Sequence, residues 1–109
     1  GESKITTTFQ DENIERKAKD LLQRLNLRGP IVLQAILSDK YGLLFMECNP
    51  RFGGGSTLSI NVGLDSFYWS ILESKGEDIE RYHFYRSPKE IRQIRVASNL
   101  YTEVNDNYI

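Results

Sequence analysis

Cysteine, histidine, methionine and tryptophan occur once each in the 109 residues, and proline three times. A lone cysteine, Cys48, rules out an internal disulfide and points to a reducing, cytoplasmic compartment. The lone histidine, His83, lies in a polar, aromatic stretch and is read as a surface or packing residue rather than a catalytic one. Neither sign of charge dominates: the net charge is −1. Nothing in that balance argues for a nucleic-acid or membrane-surface partner. No apolar run approaches the ~20 residues of a membrane span. Residues 1–8 are polar and β-branched and carry no signal-peptide pattern. Repeats, low-complexity tracts and evident linkers are also missing.

What remains is ordinary globular material, with 39% hydrophobic and 27% charged residues. The length suits a single domain, 1–109, with a modest core. Residues 4–9 read as a short strand. Asp11 is placed to cap a helix over about 12–26, with Ile14, Ala18, Leu21, Leu22 and Leu25 at helical spacing. Arg28-Gly29-Pro30 ends it. Two apolar strands follow, 31–38 and 43–49, joined by the turn Asp39-Lys40-Tyr41-Gly42. Apolar on both faces, this hairpin is expected in the middle of a sheet, covered on each side. Ser56 is placed to cap a helix reaching Val62 and stopped by Gly63. Asp65 is placed to cap a second over about 66–75, ended by Gly76, with Phe67, Trp69, Ile71 and Leu72 in the core. Residues 78–90 give no clear assignment. Ile94, Val96, Leu100 and Val104 alternate through 91–104 as in a strand with one buried face.

The segment LLFMECNPRFGGGS, residues 43–56, is the chemically unusual part. Side chains alternate along a strand, so Leu43, Phe45, Glu47, Asn49 and Arg51 are expected on one face and Leu44, Met46 and Cys48 on the other. Folding the hairpin brings Gln34, the one polar residue of 31–37, opposite positions 47–49 and into a buried site. Three oxygen-bearing side chains, Gln34, Glu47 and Asn49, then converge. Such ligands suit Mg²⁺, whose shell is completed by water and substrate phosphates. The two oxygens of Glu47 can bridge two ions. Arg51 offers a bidentate fork to a phosphoryl or carboxylate group. The turn Gly53-Gly54-Gly55-Ser56 lets backbone amides approach an anion. Cys48, beside Met46, is read as an inert thiol on the packed side.

ECNPRFGGGS, preceded by RGPIVLQAIL and a glycine-containing hairpin turn, resembles the C-terminal part of the ATP-grasp fold. The likeness is nearest to the carbamoyl-phosphate-synthase-like and carboxylate–amine ligase branches and spans about residues 1–75. In that family a strand residue that is Gln or acidic, followed on the next strand by Glu-x-Asn-Pro-Arg, holds the metal ions of ATP. The resemblance therefore implies Gln34, Glu47 and Asn49 as ligands of Mg²⁺ (or Mn²⁺) and of ATP. It implies Arg51 as the catalytic group facing the reacting phosphate or acyl phosphate. Gly53 and Gly54 fall in the loop near the nucleotide and carboxylate. The implied fold is α+β, a mostly antiparallel sheet with packed helices.

The implied function is one half of the ATP site of a ligase. Such a ligase activates a carboxylate or bicarbonate as an acyl phosphate, which an amine or ammonia then attacks. The family's lid and adenine-binding segments have no counterpart in these residues. The chain is accordingly expected to be a fragment of a longer enzyme, inactive alone, its partner segments lying in cis or in a split subunit. A non-catalytic Mg-nucleotide-binding module, or an interaction domain that keeps the fold, is the rival expectation. Glu47 and Asn49 would matter to the first rival and not to the second.

Overall fold

A computed structural model describes residues 2–101. The chain runs β1 (Ile5–Thr7), α1 (Glu12–Leu25), β2 (Val32–Ser38), β3 (Gly42–Asn49), α2 (Ser56–Asn61), α3 (Ser66–Ser74), a 3-10 turn (Ile79–Arg81) and β4 (Arg92–Ile94). The class is α+β, as expected, with small antiparallel sheets.

Helix α1 forms where a cap and a stripe of apolar residues coincide. The Asp11 carboxylate accepts from the N–H groups of Asn13 and Ile14, both at 3.0 Å, satisfying donors that the helix cannot. Asn26 closes the helix in the left-handed region, φ 50°. Ile14, Ala18, Leu21 and Leu22 are half-buried, but Leu25 is exposed. The caps expected of the next two helices are corrected. The Ser56 hydroxyl does not cap α2; it accepts from the Gly53 N–H at 3.0 Å and so ties the loop before it. Asp65 precedes α3 but makes no side-chain cap bond.

The sheet expectation is also corrected. Among the described residues, strands β2 and β3 pair only with each other, as do β1 and β4. The hairpin is not buried within a larger sheet: Ile36, Leu37 and Met46 are 54%, 71% and 63% exposed. An apolar strand records what it can accept against its faces; among the described residues no third strand flanks it. The trailing strand is shorter than its alternation suggests. Strand β1 offers three residues, the ladder runs Ile5↔Ile94, Thr6↔Gln93, Thr7↔Arg92, and it then ends. Val96 and Leu100 are exposed. Val104 lies outside the described residues.

The buried core sits at the α2–α3 corner, where Leu58, Val62 and Leu72 are enclosed. Trp69 is half-buried and meets Phe84 edge-on, with centroids 5.8 Å apart. Phe67 and Ile71, expected in the core, are exposed. Residues 85–87 cross this corner, and the Ser87 N–H donates to the Val62 carbonyl at 2.8 Å. The crossing requires glycine beneath it. Gly63 has φ +116°, and a Cβ there would lie 1.9 Å from the Tyr85 carbonyl oxygen. The same segment reaches α1, where Arg86 pairs with Glu15 at 3.0 Å and also donates to the Phe9 carbonyl.

Candidate functional site

The hairpin turn comes first, because it sets the register. Ser38 pairs with Gly42 across Asp39–Tyr41, and Gly42 takes φ 71°, which its missing Cβ allows. From there Leu37 faces Leu43, Ile36 faces Leu44 and Ala35 faces Phe45. The ladder then slips by one: Gln34 faces Glu47, leaving Met46 as an extra residue in a β-bulge. Leu33 faces Cys48 and Val32 faces Asn49.

The bulge corrects the expected division of faces. Ala35 and Gln34 are neighbours and point to opposite sides, so their partners Phe45 and Glu47 do too. Leu43, Phe45 and Cys48 share one face, where all three are half-buried. Glu47 and Asn49 share the other with Gln34 and Leu44. The polar set is thus sorted away from the packed residues by one inserted position rather than by uninterrupted alternation.

Gln34, Glu47 and Asn49 do come together. Gln34 and Glu47 are direct cross-strand partners, and the Asn49 amide Nδ2 donates to Glu47 Oε1 at 2.6 Å. That bond orients both side chains and leaves Asn49 Oδ1 as an acceptor. Gln34 is exposed rather than buried, as is Glu47, and Asn49 is half-buried. Among the described residues no three His, Cys, Asp or Glu side chains gather. The oxygen set here is one carboxylate and two amides, open to solvent on one side. Its hardness and incomplete number match Mg²⁺, which keeps several waters or phosphate oxygens.

Arg51 is placed differently. Strand β3 ends at Asn49, and the Arg51 N–H turns back to the Asn49 carbonyl at 2.8 Å. Strand alternation therefore does not carry Arg51. Its guanidinium is exposed and donates to the neighbouring Phe52 carbonyl at 3.1 Å. Phe52 anchors the bend on α3, its ring 4.2 Å from that of Phe67.

The glycine loop lies directly beyond. Gly53 sits on Val32, the cross-strand partner of Asn49, and a Cβ at Gly53 would fall 2.7 Å from Val32 Cγ2. The close approach holds the loop against the end of the hairpin that carries Gln34, Glu47 and Asn49. Arg95 reaches over from beyond β4, donating to the Gly54 carbonyl and, at 3.2 Å, to Glu2 Oε1. Gln93 donates to the Thr57 hydroxyl at 2.9 Å. Neither residue stands out in the sequence; the sole signal is a place in an alternating segment whose partner strand lies some ninety positions earlier.

Two clefts lie elsewhere. One of about 290 Å³ runs between Leu27–Pro30 and the Trp69–Glu73 side of α3, and a shallower one follows α1. Neither is lined by Gln34, Glu47, Asn49 or Arg51. No helix among the described residues is long and apolar enough to cross a membrane. A family model described as ATP-grasp in the biosynthetic pathway with Ter operon matches residues 1–99. No curated protein and no solved structure matches the chain.

Proposed function

The chain belongs to the ATP-grasp family found in the biosynthetic pathway with Ter operon, and from that premise we propose that it carries the metal-binding half of an ATP site. Family membership brings ATP-dependent, ligase-type chemistry and general use of a divalent cation. The finer proposal is that a small carboxylate or bicarbonate is activated as an acyl phosphate and captured by an amine or ammonia. The branch resembling carbamoyl-phosphate synthase, the position of the chain at the C-terminal end of the fold, and its completion by other ATP-grasp segments belong to the same proposal. The observation that supports it most is the cross-strand pair Gln34–Glu47 with Asn49 bonded to Glu47.

Gln34, Glu47 and Asn49 would hold Mg²⁺ or Mn²⁺, which when bound neutralises charge on the triphosphate and aligns it for in-line transfer. Glu47 supplies the one full negative charge in the set. Asn49 keeps that carboxylate turned outward through its 2.6 Å bond. Gln34, an uncharged donor opposite, adds an oxygen without repelling the phosphates. Arg51 rests on a neutral carbonyl, a bond readily exchanged for a charge-assisted, bidentate one with a phosphoryl oxygen. Gly53 and Gly54 let the backbone lie close to the nucleotide and carboxylate.

The test is isotopic. In the protein as it is made in the cell, ATP, amine and an ¹⁸O-labelled carboxylate or bicarbonate are supplied together. The carboxylate oxygen attacks the γ-phosphorus, and the amine later breaks the carbon–oxygen bond, so released phosphate should carry the label. Unlabelled phosphate accompanying ADP would mean that water is the acceptor, and the ligase proposal would fall.

A further inference from the structure

Three consecutive glycines are the least constrained backbone a chain can offer, yet this loop is pinned through two carbonyls in succession. The Ser56 N–H donates to the Gly53 carbonyl at 3.1 Å, which fixes the Gly53–Gly54 peptide plane. Arg95 donates to the Gly54 carbonyl, which fixes the next plane. A trans peptide points its N–H opposite to its C=O. The two contacts therefore set the directions of the Gly54 and Gly55 N–H groups, neither of which donates to a protein acceptor among the described residues. Arg95 is itself held. Its N–H donates to the Lys4 carbonyl at 2.8 Å, its guanidinium meets Glu2, and the β1–β4 ladder ends one residue before it.

We propose that Arg95 is a positioning residue for the ATP-dependent reaction. It holds the glycine loop in one conformation beside Asn49 and Arg51, and so brings the segment after β4 into the working of a site to which it contributes no ligand. The idea deepens the proposed function and rests on it. A guanidinium suits the task because it reaches two acceptors at once, a carbonyl and a carboxylate, with fixed geometry.

The experiment compares Arg95→Ala and Arg95→Lys with the parent protein, made at full natural length. Hydrogen exchange is read at the bonded amides of Gly53 and Ser56, with the β2–β3 amides as control, alongside kcat and KM for ATP. Arg95→Ala should speed exchange at Gly53 and Ser56 about tenfold, the effect of one charge-assisted bond. It should lower kcat by about as much while KM for ATP stays within about threefold, since the metal ligands are untouched. Arg95→Lys, which keeps one donor, should recover part of both losses. Unchanged exchange in the loop, or a rise shared equally by the hairpin, overturns the proposal. If the parent shows no ATP turnover, the proposed function fails, and the exchange data still decide whether Arg95 governs the loop.

Discussion

Replacing Glu47 by Gln removes one charge and almost no volume, which makes it the cleanest probe of the proposed metal site. The stability effect should be small. Glu47 is exposed, and its bond from Asn49 Nδ2 survives because the amide keeps an oxygen. A surface change of this kind costs within about 0.5 kcal/mol, or about 2–4 °C in Tm for a domain of this size. Cation binding should respond far more. A unit charge 4 Å from a divalent ion contributes about 2 kcal/mol in water-like surroundings, and about four times that at an effective dielectric of 20. The open side of the site argues for the lower figure, so affinity should fall at least about thirtyfold. Mn²⁺ titration followed by electron paramagnetic resonance measures that fall, a thermal melt checks the fold, and ADP release reports turnover. Most ATP turnover should be lost. A Glu47→Gln protein with near-normal turnover, or with Mn²⁺ affinity within about threefold of the parent, would refute the assignment of Glu47 as the charged ligand.

Other substitutions test the scaffold. Gly63→Ala should lower stability by about 1–3 kcal/mol from backbone strain alone, with a further loss because the new methyl meets the Tyr85 carbonyl; chemical denaturation reads the sum. Asp11→Ala should cost about 1 kcal/mol through loss of the α1 cap, seen as a drop in Tm without change in Mn²⁺ affinity. Gly53→Ala should displace the loop from Val32 and reduce turnover more than it reduces Tm, so a variant that melts early but turns over normally would contradict the proposed close approach. Leu37→Ser, at a site 71% exposed, should leave stability within about 0.5 kcal/mol; a large loss by denaturation would show that the hairpin face is covered.

Local signals were the legible ones. Asp11, Gly42 and Gly76 act on their own few neighbours, through a cap, a turn and a positive φ, and each stands where pattern reading puts it. That Gln34 falls within about one residue of Glu47 was also within reach, because a hairpin's register is counted outward from its turn, although an unbroken count pairs Gln34 with Met46. The bulge was not. Alternation assumes an unbroken ladder, and nothing in LLFMEC marks Met46 as the residue to be skipped, so the apolar and polar halves of β3 were expected on a common face. Burial was read worst. Ile36, Phe67 and Ile71 are apolar and correctly periodic, but hydrophobicity states a preference, while enclosure needs a neighbour that local sequence does not name. The hold of Arg95 on Gly54 escaped for a related reason, since it depends on a strand pair closed across most of the chain.

The extra residue in β3 acts as a frameshift does in a message. Upstream of Met46 the strand is spelled in one phase, apolar toward the half-buried side; downstream the same two-letter alphabet is read in the other phase, and charge and amide emerge on the outer side. Deleting Met46 would leave Glu47 and Cys48 on their present faces, whereas one residue added to β2 opposite Met46 would restore a single phase and exchange the addresses of the two. The packed layer and the polar layer can therefore change their residues independently, provided the count between them stays fixed.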